Sequence, residues 1–251
     1  MKKVLIMAMI TPMVIFSKVH YAKVEPYDSV VLKSSVSALV ISADIQSEGK
    51  DISNHKIIQL DDKMDKIDLN ISKDMLELNQ IVLKNSEKTY NIKKSYFNRI
   101  NALSTASKTQ KDNANSSYLL AQNQYLTTKE KVLSLKYKIA KLEDSISKKN
   151  IILSDKYLYK LSVRKGDFVN FGSPLATISD TSKAKLVLFL ESEEIDSLKD
   201  KKIYLDEKET DYKIDRVWNV TDEKFISSYK AWIIIPKPKD RFSKLIKIEL
   251  K

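Results

Sequence analysis

The sequence predicts an α+β protein: a small β-sandwich split by an inserted antiparallel helical hairpin of coiled-coil type, then a small antiparallel β-barrel. Three observations carry this. Neither glycine nor proline occurs between Leu60 and Leu158, so the two strongest helix breakers are missing from a long interval. That interval carries seven-residue apolar repeats. On either side of it stand two short segments of similar pattern, and beyond the second lie several short apolar runs separated by charged residues.

The hairpin comes first because it is the most regular element. From Ala114, alternating steps of four and three land on Ala114, Tyr118, Ala121, Tyr125, Thr128, Val132, Leu135, Ile139, Leu142 and Ile146. Only Thr128 lacks apolar character, and this is the pattern of a coiled-coil seam. Upstream the same rule lands on Ile71, Met75, Leu78, Val82, Asn85, Thr89, Ile92, Tyr96, Arg99 and Leu103, which is taken as the facing seam. A second stripe, Leu69, Leu76, Leu83, Tyr90 and Phe97, also recurs every seven residues. It is expected to pack laterally against other copies, with Leu76, Leu83 and Phe97 as the test positions. The opposite assignment, in which this stripe faces the second helix and the first faces outward, stays open. The polar interval STASKTQKDN between the arms predicts the turn. Each arm of about 40 residues spans about 60 Å at 1.5 Å per residue.

The flanks predict the split sandwich. EGKDISNHKIIQLDD precedes the hairpin and KGDFVNFGSPLATISD follows it. In the second, Gly166, Val169, Gly172, Leu175 and Ile178 fall at steps of three; in the first, Gly49, Ile52, His55 and Ile58 do the same. Steps of three suit short strands joined by tight turns, where glycine adopts backbone angles that other residues resist. His55 is read as a turn residue standing in for glycine. Strands are expected at Val30–Leu32, Ala38–Ile41 and Ile57–Leu60, and again at Leu158–Val163, Leu175–Ile178 and Leu186–Leu190. The barrel is expected from Lys202–Leu205, Tyr212–Trp218, Ala231–Ile235 and Leu245–Leu250.

The split repeat resembles the two halves of the lipoyl-like domain of HlyD-type membrane fusion proteins, most closely in SVRKGDFVNFGSPLATISD followed by LVLFLESEEIDSL. The family resemblance divides the chain into an export signal (1–22), an N-terminal strand with the first lipoyl-like half (23–61), the coiled-coil hairpin (62–150), the second half (151–182) and the β-barrel (183–251). It implies a periplasmic adaptor, associated with the inner membrane through partners. Those partners would be an inner-membrane transporter of RND or ABC type, an outer-membrane TolC-like duct and further copies of the chain. The hairpin tip resembles the Arg, Leu, Ser signature of adaptors that contact such ducts, here Arg99, Leu103 and Ser107, and SKTQKDNA resembles the segment opening their second helix. Leu103 and Ser107 stand closer together than in those adaptors. The chain ends at Lys251 soon after the barrel, so the further membrane-proximal domain of many relatives is expected to be missing.

The N-terminal residues are consistent with export. Lys2 and Lys3 precede the apolar run Val4–Phe16, and a polar stretch ends at Ala22, the order of a secretory signal. The run is shorter than the ~20 apolar residues of a spanning helix, which favours cleavage after Ala22. The imperfect motif His20-Tyr21-Ala22 leaves retention as an anchor open. With no cysteine in the chain, disulfides, thiol catalysis and lipoprotein anchoring are excluded. Of the net charge of +11, most falls between Asp62 and Asn150, where 17 basic and 10 acidic residues alternate along the helical pattern. Such a face is read as a solvated helix surface and not as a nucleic-acid site.

Catalysis has little to work with. After the signal His55 is the only histidine, so Ser-His and Cys-His pairs and histidine-rich metal sites are not expected, and no cofactor is expected. The acids from Glu191 to Asp196 read as an exposed turn. Two rival readings remain: a free-standing periplasmic coiled-coil scaffold or chaperone, and a lipoyl or biotinyl carrier modified at Lys63, beside Asp62 where the two halves would otherwise join.

Overall fold

The computed structural model describes residues 18–198, 201–236, 238 and 242–251, which fall into two compact units. Unit one holds residues 18–30, 155–157 and the described part of 177–251; unit two holds 31–154 and 158–176. The apolar run Val4–Phe16 lies outside the described residues. The chain begins with β1 (Val19–Lys33), β2 (Ala38–Ala43), β3 (Lys50–Ile52) and β4 (His55–Leu60). Two helices follow, α1 (Lys63–Ala102) and α2 (Lys108–Lys148), then β5 (Asn150–Leu153), β6 (Lys156–Leu161), β7 (Phe168–Val169) and β8 (Pro174–Leu190). The remainder is α3 (Ser192–Asp196), β9 (Ile203–Leu205), β10 (Lys208–Thr210), β11 (Ile214–Thr221), β12 (Tyr229–Pro236) and β13 (Leu245–Leu250).

In unit two the segments before and after the hairpin pair across it. β2 runs antiparallel to β7, with Ala38 opposite Val169, and β4 antiparallel to β5, with His55 opposite Leu153. Together they give the sheet order β5-β4-β2-β7, while β3 pairs with β6. Val40, Ile57, Ile58, Leu60, Leu158, Leu161, Val169 and Leu175 are buried between these strands, each large side chain contributing about 1.5–3 kcal/mol. The three glycines have φ of 76° at Gly49, 98° at Gly166 and 84° at Gly172, a region that side chains disfavour. Their amides bond to Leu158 O, Val40 O and Ser34 O, so each turn is tied to the opposing half. His55 is not the turn residue. Asn54, with φ 47°, makes that turn and His55 opens β4, because Asn tolerates left-handed backbone better than histidine.

The helices have 40 and 41 residues. On α2 the stripe from Ala114 through Leu135 is buried or half-buried as the heptad predicts, with Ala114, Ala121, Thr128, Val132 and Leu135 buried. On α1 the expected seam is the wrong stripe. Ile71, Met75, Leu78, Val82, Ile92, Tyr96 and Leu103 are all exposed, while Leu69, Leu76, Leu83, Tyr90 and Phe97 are half-buried and alternate with the buried Ser72 and Ser86. Ring contacts from Tyr90 and Phe97 to Tyr118 and Tyr125 of α2 identify this second stripe as the internal one. Leu76, Leu83 and Phe97 therefore belong to the stripe that faces α2. Counting apolar residues misplaced the seam because its alternate positions are small and polar, whereas apolar residues crowd the outward face.

Unit one is a sheet with the path β10-β9-β13-β1-β8-β12-β11. Among the described residues no pairing joins β10 to β11, so closure into the expected small barrel is not shown. Alternate residues fill its core: Ala184, Leu186, Leu188 and Leu190 of β8, Ala231, Ile233 and Ile235 of β12, and Ile246, Ile248 and Leu250 of β13. The acids from Glu191 to Asp196 form the short helix α3 with a capping box between Glu191 and Glu194. The expected boundary at residue 22 falls inside β1. Val19, His20, Tyr21 and Ala22 pair with Glu249, Ile248, Lys247 and Ile246 of β13, Ala22 is in the core, and His20 Nε2 lies 2.7 Å from Glu194 Oε1. Residues counted with the signal thus belong to the folded sheet.

Candidate functional site

The hairpin tip is short and tightly defined. α1 stops at Ala102, where Leu103 turns to extended backbone (ψ 122°) and its amide bonds to Ile100 O. α2 starts at Lys108 with Ser107 as N-cap. Ser107 Oγ accepts from Gln110 N at 3.2 Å and Gln110 Oε1 accepts from Ser107 N at 2.8 Å, a reciprocal capping box. The turn is therefore residues 103–107, and most of the polar interval expected to turn is already the first coils of α2. Ser107 is committed to holding the turn. Arg99 lies exposed in the last turn of α1, where a cation complements the helix dipole. Leu103 is 49 % exposed. Among the described residues the tip thus presents a guanidinium without an ion-pair partner and an exposed apolar side chain.

Two sets of contacts brace the arms in one register. Near the tip, Phe97 and Tyr118 stack with centroids 5.6 Å apart, and Tyr90 stacks on Tyr125 at 5.5 Å. At the base, Asp65 takes an ion pair from Lys149 at 2.8 Å and a hydrogen bond from Ser145 Oγ at 2.7 Å. Asp62 is matched by Lys66 at 2.9 Å and Asn150 Nδ2 at 3.2 Å. Burial alone would raise both carboxyls, but the Lys66 and Asn150 donors at Asp62 and the Lys149 and Ser145 donors at Asp65 outweigh it and lower both below the usual carboxylate value.

The remaining candidates fall elsewhere. Lys63 is the first residue of α1, its amide donating to Asp61 Oδ1, and so lies on a helix and not on the β-turn that presents a carrier lysine. In unit two, Ser47 Oγ and His55 Nε2 both approach Asp44 Oδ2, at 2.6 Å and 2.8 Å. Both groups meet the same carboxylate oxygen, and among the described residues no hydrogen bond joins His55 to Ser47 as a nucleophilic triad requires. Sequence reasoning missed a basic aromatic surface on β8, β11 and β12 of unit one. Its signal was the period-two placement of Arg216 with Trp218 and Lys230 with Trp232.

No family model matches the chain, and no curated protein matches it. Among solved structures it is similar to MacA from Actinobacillus actinomycetemcomitans, with a TM-score of 0.75 and 18% identity over 94% of this chain and 78% of that one. It is similar also to a MacA-MexA chimera containing the Pseudomonas aeruginosa MexA α-hairpin domain, with a TM-score of 0.64 and 17% identity over 94% and 81% of the two chains. A third likeness is to the membrane fusion protein Spr0693 from Streptococcus pneumoniae R6, with a TM-score of 0.51 and 9% identity over 94% and 99%. At these identities the likeness is one of fold.

Proposed function

We propose that the chain is a periplasmic adaptor of the membrane fusion type, linking an inner-membrane transporter of RND or ABC type to a TolC-like outer-membrane duct for export of drugs, toxic compounds or proteins. The observation that carries this reading is a helical hairpin of 40-residue arms inserted between two β segments that pair across it, in a fold matched over nearly the whole chain by MacA. Such a hairpin buries little on its own and supplies reach. HlyD-type lipoyl-like halves are the family reading of the paired segments, and the glycine turns that tie them together support it.

The tip docks on the duct through Arg99 and Leu103, with Ser107 fixing the turn that presents them. Copies assemble side by side through the outward stripe of α1, Ile71, Leu78, Val82 and Ile92, which takes the lateral role first assigned to Leu76, Leu83 and Phe97. The test is Arg99→Asp with Leu103→Ser in cells. Interface anchors of this kind are worth about 1–3 kcal/mol each, so export and crosslinking to the duct should be lost while transporter binding and helicity persist. Normal export by the double variant would overturn the tip assignment.

A further inference from the structure

The outer face of β8, β12 and β11 in unit one combines features that a solvated sheet face does not need. Trp218 and Trp232 meet with ring centroids 4.8 Å apart. Lys185 Nζ lies 4.7 Å from the Trp232 ring, Lys230 Nζ 5.3 Å from that of Trp218, and Arg216 Cζ 5.7 Å from both. All three cations are within cation-π range, and among the described residues none has a carboxylate partner. Both indoles are half-buried, and among the described residues Trp232 Nε1 lies buried without a hydrogen-bond partner. Val220 lines one hollow with Trp218 and Lys230 and is 76 % exposed. Asp222 and Glu223, on the turn after β11, share that hollow.

From this geometry we infer that the face docks on the anionic headgroup layer of a phospholipid membrane. Tryptophan is enriched at the interface between hydrocarbon and water, and Trp218, which lines one hollow with Val220 and Lys230, is the ring placed to reach it. Unpaired Lys and Arg beside it complement lipid phosphates, each worth about a factor of five in binding near an anionic surface. Exposed Val220 supplies an apolar side chain that enters the acyl boundary. A protein partner of acidic surface would meet the same charges, but it would leave the indoles out of contact with lipid. The inference stands on this face and does not depend on the adaptor reading.

The chain contains only two tryptophans and both lie here, so fluorescence excited selectively at tryptophan reports on this face alone. The full-length protein is mixed with vesicles of brominated phosphatidylcholine, with and without brominated phosphatidylglycerol, bromine quenching an indole on contact. Quenching is expected with the anionic vesicles and should weaken as salt is raised. Arg216→Gln with Lys230→Gln should shift the vesicle titration to roughly thirtyfold higher lipid, whereas Lys136→Gln with Lys138→Gln on α2 should leave it in place. Any insertion by residues 4–16 would occur with both vesicles, so only the difference between the two vesicles reports on this face. Equal quenching by both vesicles, quenching by neither, or an unshifted titration for the Arg216 and Lys230 variant would each overturn the inference.

Discussion

Phe97 of α1 lies flat against Tyr118 of α2, their ring planes 2° from parallel and their centroids 5.6 Å apart. This contact places the Leu69–Phe97 stripe inside the hairpin and makes the distal arms depend on aromatic packing. Phe97→Ala and Tyr118→Ala should each cost about 1–2 kcal/mol. Stacked pairs add about 0.5–1.5 kcal/mol beyond area burial, so a double-mutant cycle followed by circular dichroism should show a coupling of that size. Additive losses would mean that the rings do not support each other.

The outward stripe should respond differently from the inward one. Ile71→Ser with Leu78→Ser and Ile92→Ser removes side chains already 51 %, 64 % and 66 % exposed, so thermal unfolding should move little. Self-association, read by sedimentation, should weaken. Leu76→Ser with Leu83→Ser should do the reverse and lower the unfolding temperature first. Equal effects of the two sets on folding would remove the distinction between the faces.

Acid should loosen both units. Asp180 is held to about 2 by the Lys156 ammonium at 2.7 Å and by Ser182. Its folded pKa is depressed, so its contribution is complete above the unfolded value near 4 and is lost as pH falls towards about 2. Lys156 is 38 % exposed, and solvent screening limits the gain to about 1 kcal/mol. Asp62 and Asp65 are depressed too, so the hairpin base should lose stability in the same direction as pH drops below about 4. The Asp180→Asn variant should show a shallower decline in stability between pH 4 and 2, in units of roughly that contribution, when followed by urea unfolding.

The start of β1 should matter to unit one. A chain beginning at Lys23 loses four ladder positions against β13, the buried Ala22 and the His20–Glu194 contact. We expect it to be less stable than a chain beginning at Lys18 by about 3 kcal/mol, given about 1 kcal/mol for each of a few net hydrogen bonds and the lost burial. N-terminal sequencing of the protein recovered from cells should accordingly find an end before Val19. Equal unfolding midpoints for the two chains would show that these residues are dispensable.

Much of this architecture could be read from single positions. The interval without glycine or proline fixed two long helices, because no other ordered structure suits so many successive good helix formers. The α2 seam from Ala114 to Ile146 was legible because its apolar residues fall on one face and small ones leave room for the partner. Gly166 and Gly172 marked turns that require left-handed backbone. Tertiary structure decided the rest. Which stripe of α1 faces α2 depended on Ser72 and Ser86 fitting a close approach, and a polar residue at a seam looks the same in sequence as one in solvent. Asn54 rather than His55 took the turn once β4 had to begin opposite Leu153. The union of Lys185, Arg216, Lys230 and two tryptophans on one face was set by strand register, since β8 and β11 meet only through β12 and separate in sequence by more than twenty residues. Local periodicity records what each segment buries, but only the folded sheet determines which distant side chains share a surface.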